Sequence, residues 1–246
     1  MRILVTGMSG LIGSAVRERL AGQYELTALN RRTIPDVKTF QADIADLEAM
    51  KPAFAGQDVV VHLAGYMAGD DWEGLLQTNV IGTYNVFEAS REAGVKRIIF
   101  ASSGATVSTW EKEEPYLSVM EGRYEDAPAA FPKLTHETPV RPSGIYGCAK
   151  VWGEALARHF TDTSELSIIC LRIAAVNKED RPTSPRMLPR WCSRRDVAQM
   201  VERCIVAPAD LKFDIFNVTS KNKWGWRDIS HGRDVVGYEP EDSAEE

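Results

Sequence analysis

Residues 6–13 read TGMSGLIG, and this stretch decides the fold that the sequence predicts. It follows a short apolar run and begins a segment with helical periodicity. In that context Gly7 allows a tight turn, Gly10 lets backbone N–H groups approach a pyrophosphate, and Gly13 lets the helix pack close to the strand. The positive end of the helix would then face the anion. The motif predicts a dinucleotide-binding βα unit, and a plain glycine-rich turn is the weaker alternative.

Around this motif the chain alternates short apolar runs with longer segments of helical period. Strands are predicted at residues 2–6, 25–29, 39–41, 59–63, 97–101, 167–173 and 213–218, and helices at 11–21, 47–54, 72–93, 146–159 and 193–206. Right-handed crossovers between such strands build a doubly wound parallel sheet. The predicted fold class is α/β, a Rossmann-type doubly wound parallel sheet with a small C-terminal substrate-binding portion, in a single domain over residues 1–246.

Three segments interrupt the alternation. Residues 106–143 lose their periodicity and contain several prolines, which predicts a long loop. Loops of this length are uncommon unless they serve a site or are disordered. We expect substrate-binding segments at about 106–143, 174–193 and 219–246. The later segments contain Trp191, Trp224 and Trp226, which could line a sugar site but more often close a core.

Composition and charge exclude several classes of protein. The formal net charge is −6, with 29 basic and 35 acidic residues mixed along the chain, whereas nucleic-acid binding depends on clustered cations. No apolar run approaches the roughly 20 residues of a membrane-spanning helix. The widely spaced cysteines indicate reduced thiols, so we expect a cytoplasmic protein with no membrane or nucleic-acid partner. No metal site is expected, and the histidines are expected to be structural or exposed: His62, His136, His159 and His231.

The end of the second predicted strand bears on the choice of coenzyme. NAD-specific sites usually place a carboxylate there, which binds the adenosine ribose. Here Asn30 is followed by Arg31 and Arg32, and guanidinium groups pair well with a phosphate. We therefore predict that NADP is preferred, with NAD possible if both arginines are merely solvated. Asp43 and Ile44 are placed to meet the adenine, although Asp43 is equally well explained as a helix cap.

Tyr146 and Lys150 form the second decisive pattern. Four residues apart at the start of a helix, they lie on one face about one turn apart. An ammonium near a phenol favours the phenolate, so we expect a lowered tyrosine pKa and a group that takes a hydroxyl proton near neutral pH. Ser103, at the end of the fifth strand, can donate a hydrogen bond to the reacting oxygen. Strand-end capping is the alternative role for Ser103 and for Ser102.

These residues resemble the extended short-chain dehydrogenase/reductase superfamily, which includes nucleotide-sugar epimerases and dehydratases. The resemblance rests on residues 6–13, Asp43-Ile44, His62-Leu63-Ala64-Gly65, Asn79, Ser102-Ser103, Tyr146 and Lys150. It implies a catalytic set of Ser103, Tyr146, Lys150 and Asn79, in which Asn79 holds a water that links the lysine to solvent. The predicted coenzyme-binding residues are Gly7, Gly10, Leu11, Ile12, Gly13, Asn30, Arg31, Arg32, Asp43, Ile44, Leu63, Ala64, Gly65, Asn79, Tyr146, Lys150 and Ile173.

Within the superfamily the sequence is similar to the uronate dehydrogenases, which oxidise the anomeric hydroxyl of a hexuronic acid to a lactone. The similar stretches are residues 79–85, 100–103, 144–147, 171–173, 186–191 and 224–240. The resemblance implies that Arg186 binds the substrate carboxylate and that Met67 and Ser103 also contact the substrate. Met67, Gly104 and Ala175 stand where that group has a serine, an asparagine and a serine. The rest of the sugar is therefore expected to be held differently.

The sequence thus predicts an NAD(P)-dependent sugar dehydrogenase in which Tyr146 takes the proton while a hydride leaves the substrate. The alternative is a nucleotide-sugar epimerase that retains its coenzyme, against which the short C-terminal portion argues. A dehydratase is disfavoured because residues 103–106 lack an Asp-Glu pair, and a non-enzymatic sensor because it would need no acid/base. A homodimer formed through the helices at 72–93 and 146–159 is implied by the resemblance.

Overall fold

The computed structural model describes residues 1–67, 69, 71–128 and 130–245. Within these ranges seven parallel strands form one sheet, in the order β3-β2-β1-β4-β5-β6-β7. The strands are β1 (Arg2–Thr6), β2 (Glu25–Asn30), β3 (Lys38–Gln41), β4 (Val59–His62), β5 (Arg97–Ser103), β6 (Ser167–Ile173) and β7 (Phe213–Val218). The order reverses between β1 and β4, which opens a crevice at their carboxyl ends. The predicted doubly wound sheet is confirmed.

Helices cover both faces of the sheet. They are α1 (Leu11–Leu20), α2 (Leu47–Met50), α3 (Trp72–Leu75), α4 (Gly82–Glu92), α5 (Tyr116–Met120), α6 (Ile145–Thr163), α7 (Arg194–Ile205) and α8 (Ser230–Val236). Alternate residues of β1 point to opposite sides: Ile3 and Val5 join the core under α1 and α7, and Leu4 joins the core under α4 and α6. Both faces of the strand are buried, as in other parallel sheets.

The predicted helix at 72–93 is interrupted by a π-helical turn at Leu76–Ile81. The side chain of Asn79, inside this turn, accepts a hydrogen bond from the Tyr66 N–H at 2.8 Å and donates one to the Tyr66 carbonyl at 2.8 Å. The turn therefore follows from a tertiary contact with the segment after β4. Apolar periodicity could not show it, and π turns of this kind are frequent at functional sites.

The prediction of a long loop at 106–143 is wrong for the first part of the segment, and the described residues after Met120 are irregular up to α6 as predicted. The chain forms a 3-10 helix at Gly104–Lys112 and then α5, and it has a small core of its own. That core consists of Val107, Tyr116, Val119, Met120, Leu134 and Trp226. Trp226 comes from the C-terminal segment, so the apolar partner that stabilises these turns is distant in sequence. Positions 129 and 246, which lie in the predicted segments 106–143 and 219–246, are outside the described residues.

The C-terminal segment returns to the start of α7. The pattern Ser-Arg-Arg-Asp at residues 193–196 predicts a capping box, and Ser193 forms one half of it by accepting the Asp196 N–H at 3.0 Å. The Asp196 carboxylate does not reach back to complete a capping box. It accepts the Glu241 N–H at 2.7 Å and the Ser220 hydroxyl at 2.6 Å instead. Burial raises the pKa of Asp196, and these hydrogen bonds oppose that effect. The prediction missed α8, which lies on the same segment.

No helix in the described part of the chain is both long enough and apolar enough to cross a membrane. The cysteines are free thiols: Cys148 is exposed, while Cys170, Cys192 and Cys204 are buried.

The turn between β1 and α1 gives a test of close backbone approach. Gly7 has φ +70°, and a Cβ there would lie 2.7 Å from the Ala64 nitrogen. Gly22 has φ +76° and open space around it, which makes it a matched control. We expect Gly22→Ala to lower the free energy of unfolding by about 1–2 kcal/mol, the cost of a left-handed backbone. Gly7→Ala should cost about 1–3 kcal/mol more because of the overlap.

Urea unfolding of both variants measures the difference. Equal losses of unfolding free energy in the two variants would show that the Gly7 turn makes no close contact with Leu63 and Ala64, which follow β4.

Candidate active site

A continuous groove crosses the carboxyl ends of the central strands. It consists of two cavities of about 670 and 600 Å³, which share Gly7, Gly10, Leu63 and Gly65. The outer cavity extends over the ends of β2 and β3, and the inner cavity extends over the ends of β5 and β6. This is where open α/β sheets bind their ligands.

The glycine turn forms the floor of the outer cavity. Helix α1 begins at Leu11 without a side-chain cap, so its first N–H groups are available for an anion in the groove. Asn30 also lines this cavity; it is buried, and neither polar atom of its amide has a hydrogen-bond partner in the described ranges. A buried amide is costly unless something pairs with it. The turn and Asn30 together fit a bound dinucleotide.

Arg31 and Arg32 line the far end of the outer cavity and are exposed. Asp43 and Ile44 lie on the same side. The cap of α2 is Asp46, whose carboxylate accepts the Ala49 N–H at 3.1 Å. Asp43 instead fixes its own turn by accepting the Ala45 N–H at 3.0 Å. Its side chain therefore both shapes the turn and borders the groove.

Tyr146, Lys150 and Ser103 meet at the inner cavity. Helix α6 brings the first two, and β5 ends at the third. The Lys150 Nζ donates to the Ala101 carbonyl at 2.7 Å and lies 5.7 Å from the centre of the Tyr146 ring. The ammonium is therefore tied to β5 rather than to the phenol oxygen. Strand and helix together fix the relative position of the three side chains.

Burial is the largest influence on the pKa values of Lys150 and Tyr146. It lowers the pKa of Lys150 to about 8. It also raises the pKa of Tyr146, and a hydrogen bond with Ser103 opposes that rise only in part. The lowered tyrosine pKa predicted from the sequence is therefore wrong for this structure. The reason is physical: removing the phenol from water disfavours the phenolate, and the ammonium is directed at a carbonyl.

Asn79 lies near Lys150, beside Gly65, and does not border either cavity. Its amide is engaged by Tyr66 through both polar atoms. A Cβ built on Gly65 would lie 3.5 Å from the Asn79 Oδ1 and 3.6 Å from the Lys150 Nζ, so both side chains converge on Gly65. The structure gives Asn79 a positioning contact, and its predicted water-holding role stays a prediction.

The two adjacent serines of β5 have different environments. Ser102 donates to the Glu154 carboxylate at 2.6 Å, and Glu154 pairs with Arg172 at 2.8 Å in a buried network. The Ser103 oxygen accepts the Ala105 N–H at 3.1 Å and lies beside the phenol. Successive side chains of a strand point to opposite faces, which explains the division. Ser102 supports the structure, and Ser103 belongs to the cleft.

The predicted substrate residues do not all meet. Met67 lies at the mouth of the inner cavity with 76% of its surface exposed, and Ser103 lies inside it. Arg186 is exposed and does not line the cavity. It belongs to the 3-10 helix Pro185–Arg190, of which Met187 and Pro189 are buried. That packing directs Arg186 to solvent, and its role as a substrate ligand stays a prediction.

Three charged residues of the inner cavity were missed by the sequence analysis: Glu111, Arg190 and Arg227. Arg190 is the last residue of that same 3-10 helix and stands one residue before the end of the stretch RMLPRW at residues 186–191. Arg227 directly follows the buried Trp226. A charged residue next to an aromatic residue gave no signal that it would face a cavity.

The histidines lie outside the groove. His62 is buried against the Thr6 hydroxyl at 2.8 Å, and burial lowers its pKa to about 3. The potential ligand atoms of His136, His231 and Asp214 lie within 4.8 Å of one another. Their rings stack at 3.8 Å and 11°, and His231 is hydrogen-bonded to Asp214 at 2.8 Å. Lone pairs in parallel rings do not converge on one ion, so the cluster is a stacked, hydrogen-bonded contact.

Comparison with known proteins identifies the family. A model of the NAD dependent epimerase/dehydratase family matches residues 3–237. The chain belongs to this family. The predicted superfamily is confirmed, and the glycine turn and Asn30 fit the coenzyme that the family description names.

Individual relatives match over nearly the whole chain. A uronate dehydrogenase of Agrobacterium fabrum is 35% identical over 249 residues, which cover 99% of this chain and 86% of that enzyme. An NAD-dependent glucose-6-phosphate dehydrogenase of Haloferax volcanii is 30% identical over 255 residues, with coverage of 99% and 94%. The solved structure of a mutant uronate dehydrogenase from Agrobacterium tumefaciens, complexed with NAD, has a TM-score of 0.82 at 34% identity, with coverage of 99% and 86%.

Proposed function

We propose that the protein is an NAD(P)-dependent sugar dehydrogenase that oxidises the anomeric hydroxyl of an acidic sugar to a lactone. The observation that carries the proposal is the meeting of Ser103, Tyr146 and Lys150 in the inner cavity, which is continuous with the outer cavity of the dinucleotide groove. That cavity continues past the three side chains, which leaves room for a substrate beside the coenzyme. The full-length similarity to uronate and glucose-6-phosphate dehydrogenases supports the substrate class.

The chain's residues would divide the chemistry as follows. Ser103 donates a hydrogen bond to the substrate oxygen, and Tyr146 as phenolate accepts the hydroxyl proton. Lys150, with a pKa of about 8, is protonated at neutral pH and supplies a positive charge behind the phenol. A bound oxidised nicotinamide would supply the hydride acceptor for the carbon that carries this hydroxyl, and its positive charge would favour the phenolate. The substrate thus loses one proton and one hydride.

The substrate side of the cleft draws on three segments of the chain. Glu111 comes from residues 106–143, Arg190 from 174–193 and Arg227 from 219–246. The small core around Trp226 joins the first segment to the third. These contacts support a single domain whose irregular segments form the substrate-binding portion.

A coenzyme assay tests the function directly. The purified protein is mixed with NAD or NADP and with hexuronates, aldose phosphates and neutral aldoses, and the reduced coenzyme is followed by absorbance. The proposal expects turnover, with higher kcat/KM for an acidic sugar than for its neutral parent. Coenzyme that stays tightly bound without net reduction would indicate the epimerase instead.

Tyr146→Phe removes the proton acceptor while keeping the ring. We expect the variant to fold and to bind coenzyme normally but to lose at least about 100-fold in kcat, because general base catalysis contributes roughly 10²–10⁴-fold. Tyr24→Phe, just before β2 and outside both cavities, is the control and should keep full activity. A Tyr146→Phe enzyme with normal kcat would refute the assigned role.

Coenzyme preference depends on the outer cavity. We propose that NADP is preferred, because a 2′-phosphate would reach the exposed guanidinium groups of Arg31 and Arg32. Arg31→Asp should move the ratio of kcat/KM for NADP over NAD towards NAD by about tenfold or more, since a hydrogen bond to a charged group contributes about 1.5–3 kcal/mol. Arg203→Asp, on an exposed position of α7, is the matched charge reversal and should leave the ratio unchanged. An unmutated enzyme that favours NAD would contradict the preference.

We also propose that the protein is a homodimer. Trp72 and Tyr84 expose 53% and 44% of their surfaces on α3 and α4, next to α6. Exposed aromatic residues on consecutive helices favour association. Sedimentation at micromolar concentration should give twice the chain mass of 27.4 kDa. A mass of one chain at that concentration would refute the dimer.

A further inference from the structure

We propose that Arg190 and Arg227 form an anion-binding subsite at the inner end of the cleft, with Glu111 as an internal counter-ion that the substrate's charged group displaces. The inference rests on the proposed function and names the residues that recognise the acidic part of the sugar. It assigns that recognition to two arginines other than Arg186, the residue indicated by sequence resemblance.

The position of Arg227 places the subsite next to the reacting groups. Its Nη2 donates to the Gly104 carbonyl at 3.3 Å, and Gly104 directly follows Ser103. A Cβ at Gly104 would lie 2.7 Å from that same nitrogen. The absence of a side chain at Gly104 is therefore what leaves room for the guanidinium, so a departure from the uronate dehydrogenase pattern has a structural purpose.

Burial leaves the Arg227 guanidinium with unused donors. Its side chain is only 4% exposed, and it lies flat over Trp226 at 3.9 Å from the ring centre. Within the described residues, its Nε and Nη1 have no hydrogen-bond partner, and the same holds for the Nε of Arg190. A guanidinium offers five N–H donors, and unpaired buried donors on a charged group are costly. A ligand oxygen in the cavity would relieve that cost.

The charges of the subsite favour an anion. Glu111 lies 3.7 Å from Arg190 and 3.7 Å from Arg227, beyond the distance of a good hydrogen bond. The single carboxylate of Glu111 therefore lies between two guanidinium groups without a close hydrogen bond to either. The three side chains together carry a net charge of +1. Burial lowers the pKa of Arg227 to about 10, so it stays protonated at neutral pH. In a cavity that water leaves on substrate binding, the remaining attraction is strengthened.

The ligand class follows from guanidinium chemistry. Planar forks of N–H donors pair best with the paired oxygens of a carboxylate or a phosphate. A hexuronate and an aldose 6-phosphate both carry such a group at C6, on the carbon that the ring oxygen joins to the anomeric carbon. These two compounds and their neutral parent aldose are the probes.

The test uses four variants of the full chain: Arg190→Gln, Arg227→Gln, Glu111→Gln and Arg186→Ala. Steady-state KM and kcat are measured for the three probes, and calorimetry gives the Kd of each probe for the protein with coenzyme. Arg181→Ala, an exposed arginine in the same loop as Arg186, is the control. Thermal unfolding and coenzyme Kd show whether each variant is folded, and Arg190, which is partly exposed, serves if the Arg227 variant does not fold.

We expect Arg190→Gln and Arg227→Gln to raise KM and Kd for the anionic probes by about tenfold to a hundredfold, as for a lost hydrogen bond to a charged group. The neutral aldose should be bound as before. Glu111→Gln should change the same constants in the opposite direction, because the competing carboxylate is gone. If these residues were merely structural, the arginine variants and the Glu111 variant would not change KM and Kd in opposite directions. The probe whose Kd rises more in the arginine variants shows whether the subsite binds a carboxylate or a phosphate.

Unchanged affinity for both anionic probes in the Arg190 variant would overturn the inference, and so would a loss confined to Arg186→Ala. A failure of the proposed function looks different. In that case no probe reduces the coenzyme, while the calorimetric Kd values still report on the anion subsite by themselves.

Discussion

The structure depends on the close approach of the Gly7 turn to the backbone that follows β4, at Leu63 and Ala64. A left-handed residue without a side chain lets the chain leave β1, pass within van der Waals distance of Ala64, and enter α1 at once. Any larger residue would push the helix away from the sheet edge. Because of that approach, the uncapped start of α1 lies where β1 and β4 diverge, and the groove begins there. The order of the remaining strands then places β5 and α6 along its inner wall.

The proposed catalytic residues and the proposed substrate-binding portion are supported from different parts of the chain. Lys150 is held by a carbonyl of β5, so strand and helix position Tyr146 and Ser103 jointly. The far wall of the cleft depends on the C-terminal segment, where Trp226 closes a small core and Asp196 binds the returning backbone. Loss of either contact would loosen the cleft without touching the coenzyme groove. Such a division lets one coenzyme scaffold carry different substrate sites.

Much of the fold and of the inner cavity could be predicted, because the motifs that indicate them lie within a few consecutive residues. The glycine turn and the spacing of Tyr146 and Lys150 each depend on neighbouring residues. Arg227 could not be predicted, since its place depends on Trp226 packing against a segment about a hundred residues earlier in the chain. The predicted direction of the Tyr146 pKa shift was wrong. The sequence shows which charged residues are near the phenol, but it does not show how completely the phenol is removed from water.

The proposed reaction is a direct hydride transfer from the anomeric carbon to the coenzyme, with the proton taken by Tyr146. A hexuronate deuterated at that carbon, incubated with the protein and oxidised coenzyme, tests it most directly. We predict that the reduced coenzyme carries the deuterium on one face of the nicotinamide and that none appears in the solvent. Unlabelled reduced coenzyme, or deuterium released to water, would contradict the mechanism.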